Sequence, residues 1–435
     1  MSTLNFRIKE HTVEGQYIRE YRRALLESPE DTLYLSVKQY TPLDGSHRRP
    51  GAVTIIGAHA NAFPKELYEP LWDHLYDTLK SQGQAIAGIW IADVAHQGKS
   101  GVLNERKLGN DPSWADHPRD LLHIINHFRK EMPRPLVGIG HSMGGNHLVN
   151  LSYMHPSLFS SLVLIDPVIH YTRSSAPSDD SVSSSNAQSS TFRRDRWNSS
   201  AEATASLKRH PFYQTWDPRV LELWVKYGLR RLPTALYPLD SDDSEDSDSD
   251  DGPVTLTTTK HQEVFTFLRP KFTGKDTKGR PRVNRRTHPD LDFSVKDDYP
   301  FYRPEPSRTF ENLQSLRPSV LYVFGGKSEL SNPEWRKAKM DRTGTGVGGS
   351  GGAKEGRVKE VLFEDLGHLI PMIGPKRTAK AAGEWLAEDL ERWQEEEEEF
   401  QEEWDSKSRL EKTTVSKEWE RNIGGNPRGK GTQKL

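Results

Sequence analysis

The stretch Gly140-His141-Ser142-Met143-Gly144 is the most informative part of this chain of 435 residues. The apolar residues 135–139 before it predict a buried strand, and residues 146–153 after it predict a helix. A strand that turns sharply into a helix at Ser142 needs strained backbone at the serine and glycines beside it. Such a turn exposes the hydroxyl and points helix amides at its target. We therefore predict a nucleophile elbow; the alternative is an ordinary glycine-rich turn with Ser142 as helix N-cap.

Strands and helices alternate on both sides of this turn. Short apolar runs predict strands, and segments with apolar residues at helical spacing predict the helices between them. Such an alternation is typical of an α/β fold with a mostly parallel central sheet and helices on both faces. The predicted strands lie at 6–13, 32–40, 52–56, 85–91, 135–139, 162–165, 320–324 and 358–363, and the predicted helices after Pro64, at 121–128, at 146–153, at 332–340 and from Lys376 onward.

The alternation stops between residues 171 and 312, and this segment predicts an insertion at the carboxyl edge of the sheet. Its Ser-rich part (171–200) and its Asp/Ser run (240–251) are predicted to be disordered, while residues 201–230 carry enough apolar side chains for two short helices. We interpret the insertion as a lid over the site. The alternative is a surface subdomain without contact to the site.

The predicted domain organisation follows from these boundaries. Residues 1–170 and 313–395 form the core, residues 171–312 the lid, and residues 396–435 an acidic helical extension with a C-terminal tail.

Composition excludes several classes of protein. The net charge is −2, with acids near 240–251 and 388–405 and bases at 271–286, so a dedicated nucleic-acid binder is not expected. The chain has no cysteine, which excludes disulfides, a thiolate nucleophile and zinc-thiolate sites. No apolar run reaches the ~18 residues of a membrane span. We expect neither a cofactor nor a metal ion.

A serine hydroxyl needs a base to take its proton as it attacks. Among 16 histidines, His368 is the best candidate, because it follows the last predicted strand and so reaches the same sheet edge as Ser142. The histidine needs an acid on its other ring nitrogen. Asp166 follows the strand after the elbow, and Glu329 follows the next strand. Enzymes with a serine on such an elbow often place their acid after this later strand. Ser328 stands in the usual slot there and cannot carry the charge, so we favour Asp166 and keep Glu329 as the alternative.

An oxyanion hole would complete the machinery with two backbone amides. The residue after the nucleophile, Met143, supplies one of them. The loop after the strand at 52–56 supplies the other. We choose the amide of Asn61 for this role, and the alternatives are the amides of Ala62 and Phe63, one and two residues further on.

With these residues in place, the chain resembles the α/β-hydrolase superfamily across about residues 1–170 and 313–395. It is most similar to fungal hydrolases of secondary-metabolite pathways, those of mycophenolic-acid and Alternaria host-selective-toxin biosynthesis, and to peroxisomal lipase-like proteins of yeast. The resemblance is carried by His59-Ala60-Asn61-Ala62-Phe63-Pro64-Lys65-Glu66-Leu67-Tyr68, Asp93-Val94-Ala95-His96-Gln97-Gly98, Gly140-His141-Ser142-Met143-Gly144-Gly145, Leu164-Ile165-Asp166-Pro167 and Gly367-His368-Leu369-Ile370-Pro371.

The resemblance implies an α/β-hydrolase fold, a triad of Ser142, Asp166 and His368, and a homodimer that hydrolyses acyl-CoA thioesters in peroxisomes. The final residues Gln433-Lys434-Leu435 end in a basic residue and leucine, as in the peroxisomal address read by an import receptor. The alternative location is the cytoplasm.

The leading hypothesis is therefore a serine hydrolase that cleaves the acyl-CoA thioester of a bulky secondary-metabolite acid. A lipase or carboxylesterase acting on oxygen esters is one alternative, and a ligand-binding homologue without catalysis is another. Six bases between residues 271 and 286 are candidates for binding CoA phosphates, although we favour their interpretation as a solvated charged loop. They are Lys271, Lys275, Arg280, Arg282, Arg285 and Arg286.

Overall fold

The computed structural model describes residues 3–171, 181–238, 252–294 and 299–424. In chain order, its strands are β1 (Phe6–Glu14), β2 (Tyr34–Pro42), β3 (Val53–Ala58), β4 (Ile86–Ala92), β5 (Leu136–His141), β6 (Ser161–Ile165), β7 (Arg196–Trp197), β8 (Leu229–Arg231), β9 (Val254–Leu256), β10 (Arg269–Pro270), β11 (Phe301–Tyr302), β12 (Ser319–Gly325) and β13 (Val358–Phe363).

The helices surround these strands and fill the insertion. They are α1 (Glu69–Ser81), α2 (Gly98–Asn104), α3 (Asp116–His127), α4 (Met143–Met154), α5 (Ser181–Phe192), α6 (Ser200–Arg209), α7 (Pro211–Gln214), α8 (Pro218–Tyr227), α9 (Lys260–Phe267), α10 (Glu305–Asn312), α11 (Pro333–Arg342), α12 (Ile370–Ile373), α13 (Pro375–Ser406), α14 (Arg409–Thr413) and α15 (Lys417–Asn422).

Eight strands form the central sheet in the order β1-β2-β4-β3-β5-β6-β12-β13. The first two are antiparallel, and the strands from β4 to β13 run parallel. Every residue of β3, β5, β6 and β12 is buried, as expected for parallel strands with helices on both faces. The predicted fold class is confirmed, and all eight predicted strands are present.

Parallel strands bring their carboxyl ends to one edge of the sheet, where open α/β sheets bind their ligands. Ser142 follows β5, Asp166 follows β6, Ser328 follows β12 and His368 follows β13. These residues are far apart in sequence, and the strand order places their four strands side by side. The sheet therefore assembles the candidate site.

The insertion carries more regular structure than its composition predicts. The prediction of disorder for residues 171–200 is wrong for Ser181–Phe192, which form α5. Ala187 is buried there, and the Ser190 hydroxyl donates to the Glu263 carboxylate of α9 at 2.7 Å. Packing against α9 thus overrides the weak helix propensity of serine. Residues 172–180 and 239–251 lie outside the described residues.

Residues 201–230 form three short helices rather than two, and β7, β9 and β8 form a small sheet that the sequence analysis missed. A buried arginine joins the insertion to the core. The Arg269 guanidinium lies 2.7 Å from Asp111, in the loop before α3, and 2.7 Å from Asp290. The two carboxylates accept hydrogen bonds from the Arg269 side chain, which is only 2% exposed. The contact with Asp111 therefore holds the insertion against the core.

The chain divides into two compact units, Met1–Ala387 and Glu388–Leu435. The first holds the central sheet and the insertion. The second holds the end of α13 together with α14 and α15, and Ser408 and Glu411 form a capping box at the start of α14. Within the described ranges, no helix has the length and apolarity that crossing a bilayer requires.

Candidate active site

Ser142 lies on a strained turn between β5 and α4, with φ of 57° and ψ of −119°. Only small neighbours fit this turn. A Cβ on Gly140 would lie 2.6 Å from the Gly144 carbonyl oxygen, and a Cβ on Gly144 would lie 2.1 Å from the Ala58 oxygen. The Ser142 side chain makes no capping hydrogen bond to α4, which argues against the N-cap alternative. Strain of this kind at a serine is typical of a nucleophile elbow.

Neighbouring strands hold the backbone of the turn. The Ser142 amide donates to the Ile165 carbonyl at 2.9 Å, and its own carbonyl accepts from the Val168 amide at 3.1 Å. The chain around Asp166 is thereby tied to the elbow by hydrogen bonds on both sides of the acid. These two hydrogen bonds position Asp166 relative to Ser142.

His368 lies between the serine and the aspartate. Its Nδ1 is 2.6 Å from Asp166 Oδ2, and its Nε2 is 2.8 Å from Ser142 Oγ. Because ionised Asp166 only accepts, Nδ1 carries the proton, and Nε2 is left to accept from the Ser142 hydroxyl. This is the arrangement in which an imidazole can remove a proton from an attacking serine.

Two residues that the sequence analysis did not assign to the site, Tyr68 and His141, hold the backbone of His368 in place. The Tyr68 hydroxyl accepts from the Ala60 amide at 2.9 Å and donates to His141 Nδ1 at 3.0 Å. His141 Nε2 then donates to the His368 carbonyl at 2.9 Å. Burial lowers the pKa of His141 to about 3, so the ring stays neutral and keeps this pattern of donors.

Asp166 is fully buried, with a left-handed backbone (φ of 42°). Burial alone would raise the pKa of its carboxyl. Hydrogen bonds from His368, Ser328 and Ser331, together with the charge of His368, outweigh burial and hold that pKa below its usual value. Asp166 is therefore ionised at neutral pH, as the partner of an imidazolium must be.

The alternative acid, Glu329, is exposed at the start of a short 3-10 turn after β12. Among the described residues, its carboxylate has no hydrogen bond to His368. Ser328, which stands in the usual acid slot, instead points its hydroxyl at Asp166. The structure thus brings Ser142, His368 and Asp166 together and leaves Glu329 outside this set.

The loop after β3 carries the predicted oxyanion donor, the Asn61 amide, next to amides that are already bonded. The amides of Ala60, Ala62 and Phe63 donate to the Tyr68 hydroxyl, to Gln97 and to the Ala60 carbonyl. Among the described residues, neither the Asn61 amide nor the Met143 amide has an acceptor. Both predicted oxyanion donors are therefore available to a ligand.

Gln97 shapes this loop and was also missed by the sequence analysis. Its Oε1 accepts from the Ala62 amide at 2.8 Å, and its Nε2 donates to Asn61 Oδ1 at 2.7 Å. The Asn61 side chain in turn donates to the Glu263 carbonyl of α9 at 3.1 Å. The loop that carries the candidate oxyanion amide is therefore tied to the insertion.

A buried ion pair anchors the same loop. Lys65 Nζ lies 2.6 Å from Asp93 Oδ2, and neither side chain is more than 1% exposed. Asp93 also accepts from the backbone amides of Lys65 at 3.0 Å and Lys99 at 2.9 Å. It thus joins the loops after β3 and β4.

Lys65→Met should leave Asp93 as a buried charge without its partner and lower the free energy of unfolding by about 3–5 kcal/mol. Urea denaturation followed by circular dichroism measures the change. A suitable control is Lys337→Met, which removes an exposed ion pair with Asp341 and should cost less than about 1 kcal/mol. Equal losses in the two variants would show that the buried pair does not stabilise the loops.

The candidate triad opens into a cavity of about 1500 Å³. Ser142, Met143, Asn61 and His368 line its floor, and residues of the insertion, both from α5 to α9 and from the segment after α9, contribute most of the remaining lining. The insertion therefore contacts the site, contrary to the alternative of a remote surface subdomain. Aromatic side chains make much of the lining apolar; they include Phe63, Trp114, Trp197, Phe212, Tyr213, Trp224 and Phe301.

The bases of the 271–286 segment mostly point elsewhere. Lys271 lines the cavity, whereas Lys275, Arg280, Arg282, Arg285 and Arg286 are exposed and do not. Three exposed bases that the sequence analysis did not single out, Arg194, Arg308 and Lys327, also line it, and Arg194 is paired with Glu202. As for metals, no group of three or more His, Asp or Glu side chains in the described part of the chain is arranged to hold an ion.

Comparison with known proteins agrees with this geometry. Residues 55–381 match the model of the alpha/beta hydrolase family. The chain is 43% identical to a type I acyl-CoA thioesterase, mpaH, of Penicillium roqueforti (strain FM164), over 99% of this chain and 98% of that protein. It is 28% identical to the abhydrolase domain-containing protein ACTT2-1 of Alternaria alternata, over 59% of this chain and 85% of that protein.

Among solved structures, the peroxisomal alpha-beta-hydrolase Lpx1 of Saccharomyces cerevisiae has the same fold. It superposes with a TM-score of 0.65 at 17% identity, covering 95% of this chain and 99% of that chain. These relatives were among those expected from the sequence motifs. The fold, the matched family model and the full-length relative agree that this chain belongs to the α/β-hydrolase family.

Proposed function

We propose that this protein is a serine hydrolase that cleaves acyl-CoA thioesters. The observation that carries the proposal is the continuous contact of Ser142, His368 and Asp166 at the floor of a large cavity. The full-length similarity to a protein named as an acyl-CoA thioesterase supports the choice of thioester.

In the proposed first step, His368 takes the Ser142 proton as Oγ attacks the thioester carbonyl. The amides of Met143 and Asn61 stabilise the resulting oxyanion, and Asp166 stabilises the imidazolium. The carbon–sulfur bond breaks, and CoA leaves as its thiol after taking the proton from His368. The products of this step are free CoA and an acyl-enzyme on Ser142.

In the second step, His368 takes a proton from water, which attacks the acyl-enzyme at the same carbonyl. Collapse of this intermediate returns the proton to Ser142 Oγ and releases the carboxylic acid. One water is consumed for each thioester cleaved.

The cavity favours a bulky acyl group. Its volume of about 1500 Å³ exceeds the roughly 300–1,000 Å³ of ordinary ligand pockets. The ring of Phe63, beside the candidate oxyanion amide, packs edge-on against Trp216 and Trp224 with centroids 5.5 and 5.8 Å apart. An apolar acid of secondary metabolism, carrying a ring or a long chain, suits this lining.

A matched set of substrates tests the proposal. Acyl-CoAs with short, long and aromatic acyl groups are compared with p-nitrophenyl esters of the same acids. We expect kcat/KM to be higher for the CoA thioesters and to increase with acyl bulk. Higher values for the oxygen esters would identify a lipase or carboxylesterase, and no turnover of either would favour a ligand-binding homologue.

Arg308 and Lys327 are the bases we expect to bind CoA phosphates, because they line the cavity, are exposed and have no ion pair within the described residues. Arg308→Ala combined with Lys327→Ala should raise KM for acyl-CoA by roughly three- to tenfold, since exposed charge pairs are worth about 0.2–1 kcal/mol each. The effect should weaken at high salt.

Two controls accompany this variant. Its KM for the N-acetylcysteamine thioester of the same acid, which lacks the nucleotide, should stay unchanged. The variant Arg280→Ala with Arg282→Ala, outside the cavity, should resemble the wild type with both substrates. An equal rise in KM for both thioesters would contradict phosphate binding at Arg308 and Lys327.

We extend the proposal to a peroxisomal location, supported by the description of the yeast relative of the same fold as peroxisomal. Gln433-Lys434-Leu435, the predicted address, lies outside the described residues. A fluorescent fusion at the N-terminus should enter peroxisomes and move to the cytoplasm when these residues are deleted. Unchanged import after the deletion would show that these residues are not the address and that the import receptor does not read them. Assembly as a homodimer belongs to the same proposal and rests on the resemblance.

A further inference from the structure

The turn after β12 delivers two serine hydroxyls to the buried carboxylate of Asp166. Ser328 Oγ donates to Oδ2 at 2.5 Å, and Ser331 Oγ donates to Oδ1. Both serines are buried, with exposures of 7% and 3%. The two hydroxyls therefore contact opposite oxygens of one carboxylate in a site that water does not reach freely.

The direction of the Ser328 hydroxyl is set by a second contact. Its oxygen accepts from the Leu330 amide at 3.2 Å, which leaves the hydroxyl proton for Asp166. The Ser331 amide donates to the Ser328 carbonyl at 3.1 Å, so one short turn orients both serines. A hydroxyl held in this way is a preorganised donor.

Four hydrogen-bond donors contact the Asp166 carboxylate. Oδ2 accepts from His368 at 2.6 Å and from Ser328, while Oδ1 accepts from Ser331 and, at 3.5 Å, from the Gly325 amide. Only an ionised carboxylate satisfies four donors on two oxygens.

We infer that Ser328 and Ser331 are positioning residues, which hold the Asp166 carboxylate against His368. The inference rests on the proposed function, because it assigns Asp166 as the acid of the triad. Ser328 Oγ contacts the same carboxylate oxygen that contacts His368 Nδ1, so loss of this hydroxyl frees the oxygen on which the histidine depends.

Removal of the hydroxyls tests this positioning role. Ser328→Ala and Ser331→Ala should each lower kcat about tenfold, and the double variant about 100-fold, because each leaves the carboxylate less firmly oriented when the imidazolium forms. KM should remain unchanged. Ser328→Thr, which keeps the hydroxyl, should restore most of kcat.

Ser152→Ala provides the matched control. Ser152 is buried and donates to the Leu148 carbonyl of its own helix at 3.0 Å, so its loss removes a comparable hydrogen bond away from the triad. Its kcat should equal that of the wild type. If the Ser328 and Ser331 variants lose stability like Ser152→Ala but keep full kcat, the serines are structural and the inference is wrong.

The outcome also separates this inference from the proposed function. Wild-type turnover that survives in Ser142→Ala would overturn the proposed function itself. Loss of turnover in Ser142→Ala and in Asp166→Ser, with full kcat in both serine-to-alanine variants of the turn, would overturn only the positioning role.

Discussion

Ser142→Ala is expected to lower kcat for acyl-CoA hydrolysis by about 10⁴- to 10⁶-fold, because loss of the nucleophile of a triad leaves only the oxyanion donors and substrate binding. The nearest oxygen available to His368 is then water. Release of CoA, followed with a thiol reagent, measures the rate. The fold should be unaffected, since alanine meets the same backbone strain at φ of 57° as serine does.

Covalent labelling gives a second measure of the same prediction. A fluorophosphonate probe should add to Ser142 in the wild type and to no residue in Ser142→Ala. Ser160→Ala, which removes a partly buried hydroxyl bonded to the Leu136 carbonyl at 3.2 Å, serves as the control and should label normally. A folded wild-type protein without an adduct on Ser142 would contradict the hydrolase mechanism.

Asp166→Asn should lower kcat by roughly 10⁴-fold, as expected when the acid of a triad is replaced by an amide and the histidine adopts the wrong tautomer. The amide would also turn its NH₂ group toward donors on one side, either His368 and Ser328 or Ser331 and Gly325. Steady-state turnover and probe labelling should fall together.

Glu329→Gln is the matched comparison for the acid. It makes the same carboxylate-to-amide change on the neighbouring strand end, at an exposed side chain. It should leave kcat within about twofold of the wild type, because no hydrogen bond or ion pair in the described part of the chain joins Glu329 to His368. The reverse result, with Glu329→Gln inactive and Asp166→Asn active, would move the triad acid to the turn after β12.

Local sequence is sufficient to predict the elbow. A strand, a serine between glycines and a helix follow one another without interruption, and the backbone demands of that turn are met by adjacent residues. The same holds for the parallel strands, because four of them are buried along their whole length and read as continuous apolar runs. The order of these strands in the sheet, by contrast, is not predicted by local sequence, because it depends on how the strands pair in the folded chain.

Sequence reasoning was wrong where tertiary contacts decide local structure. The Ser-rich residues 181–192 show little helix propensity, yet they form α5 because Ala187 is buried and Ser190 donates to Glu263. The supporting residues of the site were missed for a related reason. Tyr68 and Gln97 lie in stretches that carry the family resemblance, but their roles depend on partners distant in sequence, which the stretches alone do not identify.

An α/β-hydrolase with Ser142 on a strained turn is predictable from local sequence, because the residues that make the turn are consecutive. Which acid faces His368 depends instead on contacts between distant parts of the chain. Asp166 and Glu329 both follow strands that end at the same edge, and a one-residue difference in position turns a side chain from the buried side of a turn to the exposed side. Ser328 therefore occupies the acid slot after β12 and donates to Asp166, whereas the exposed side chain of Glu329 lines the cavity.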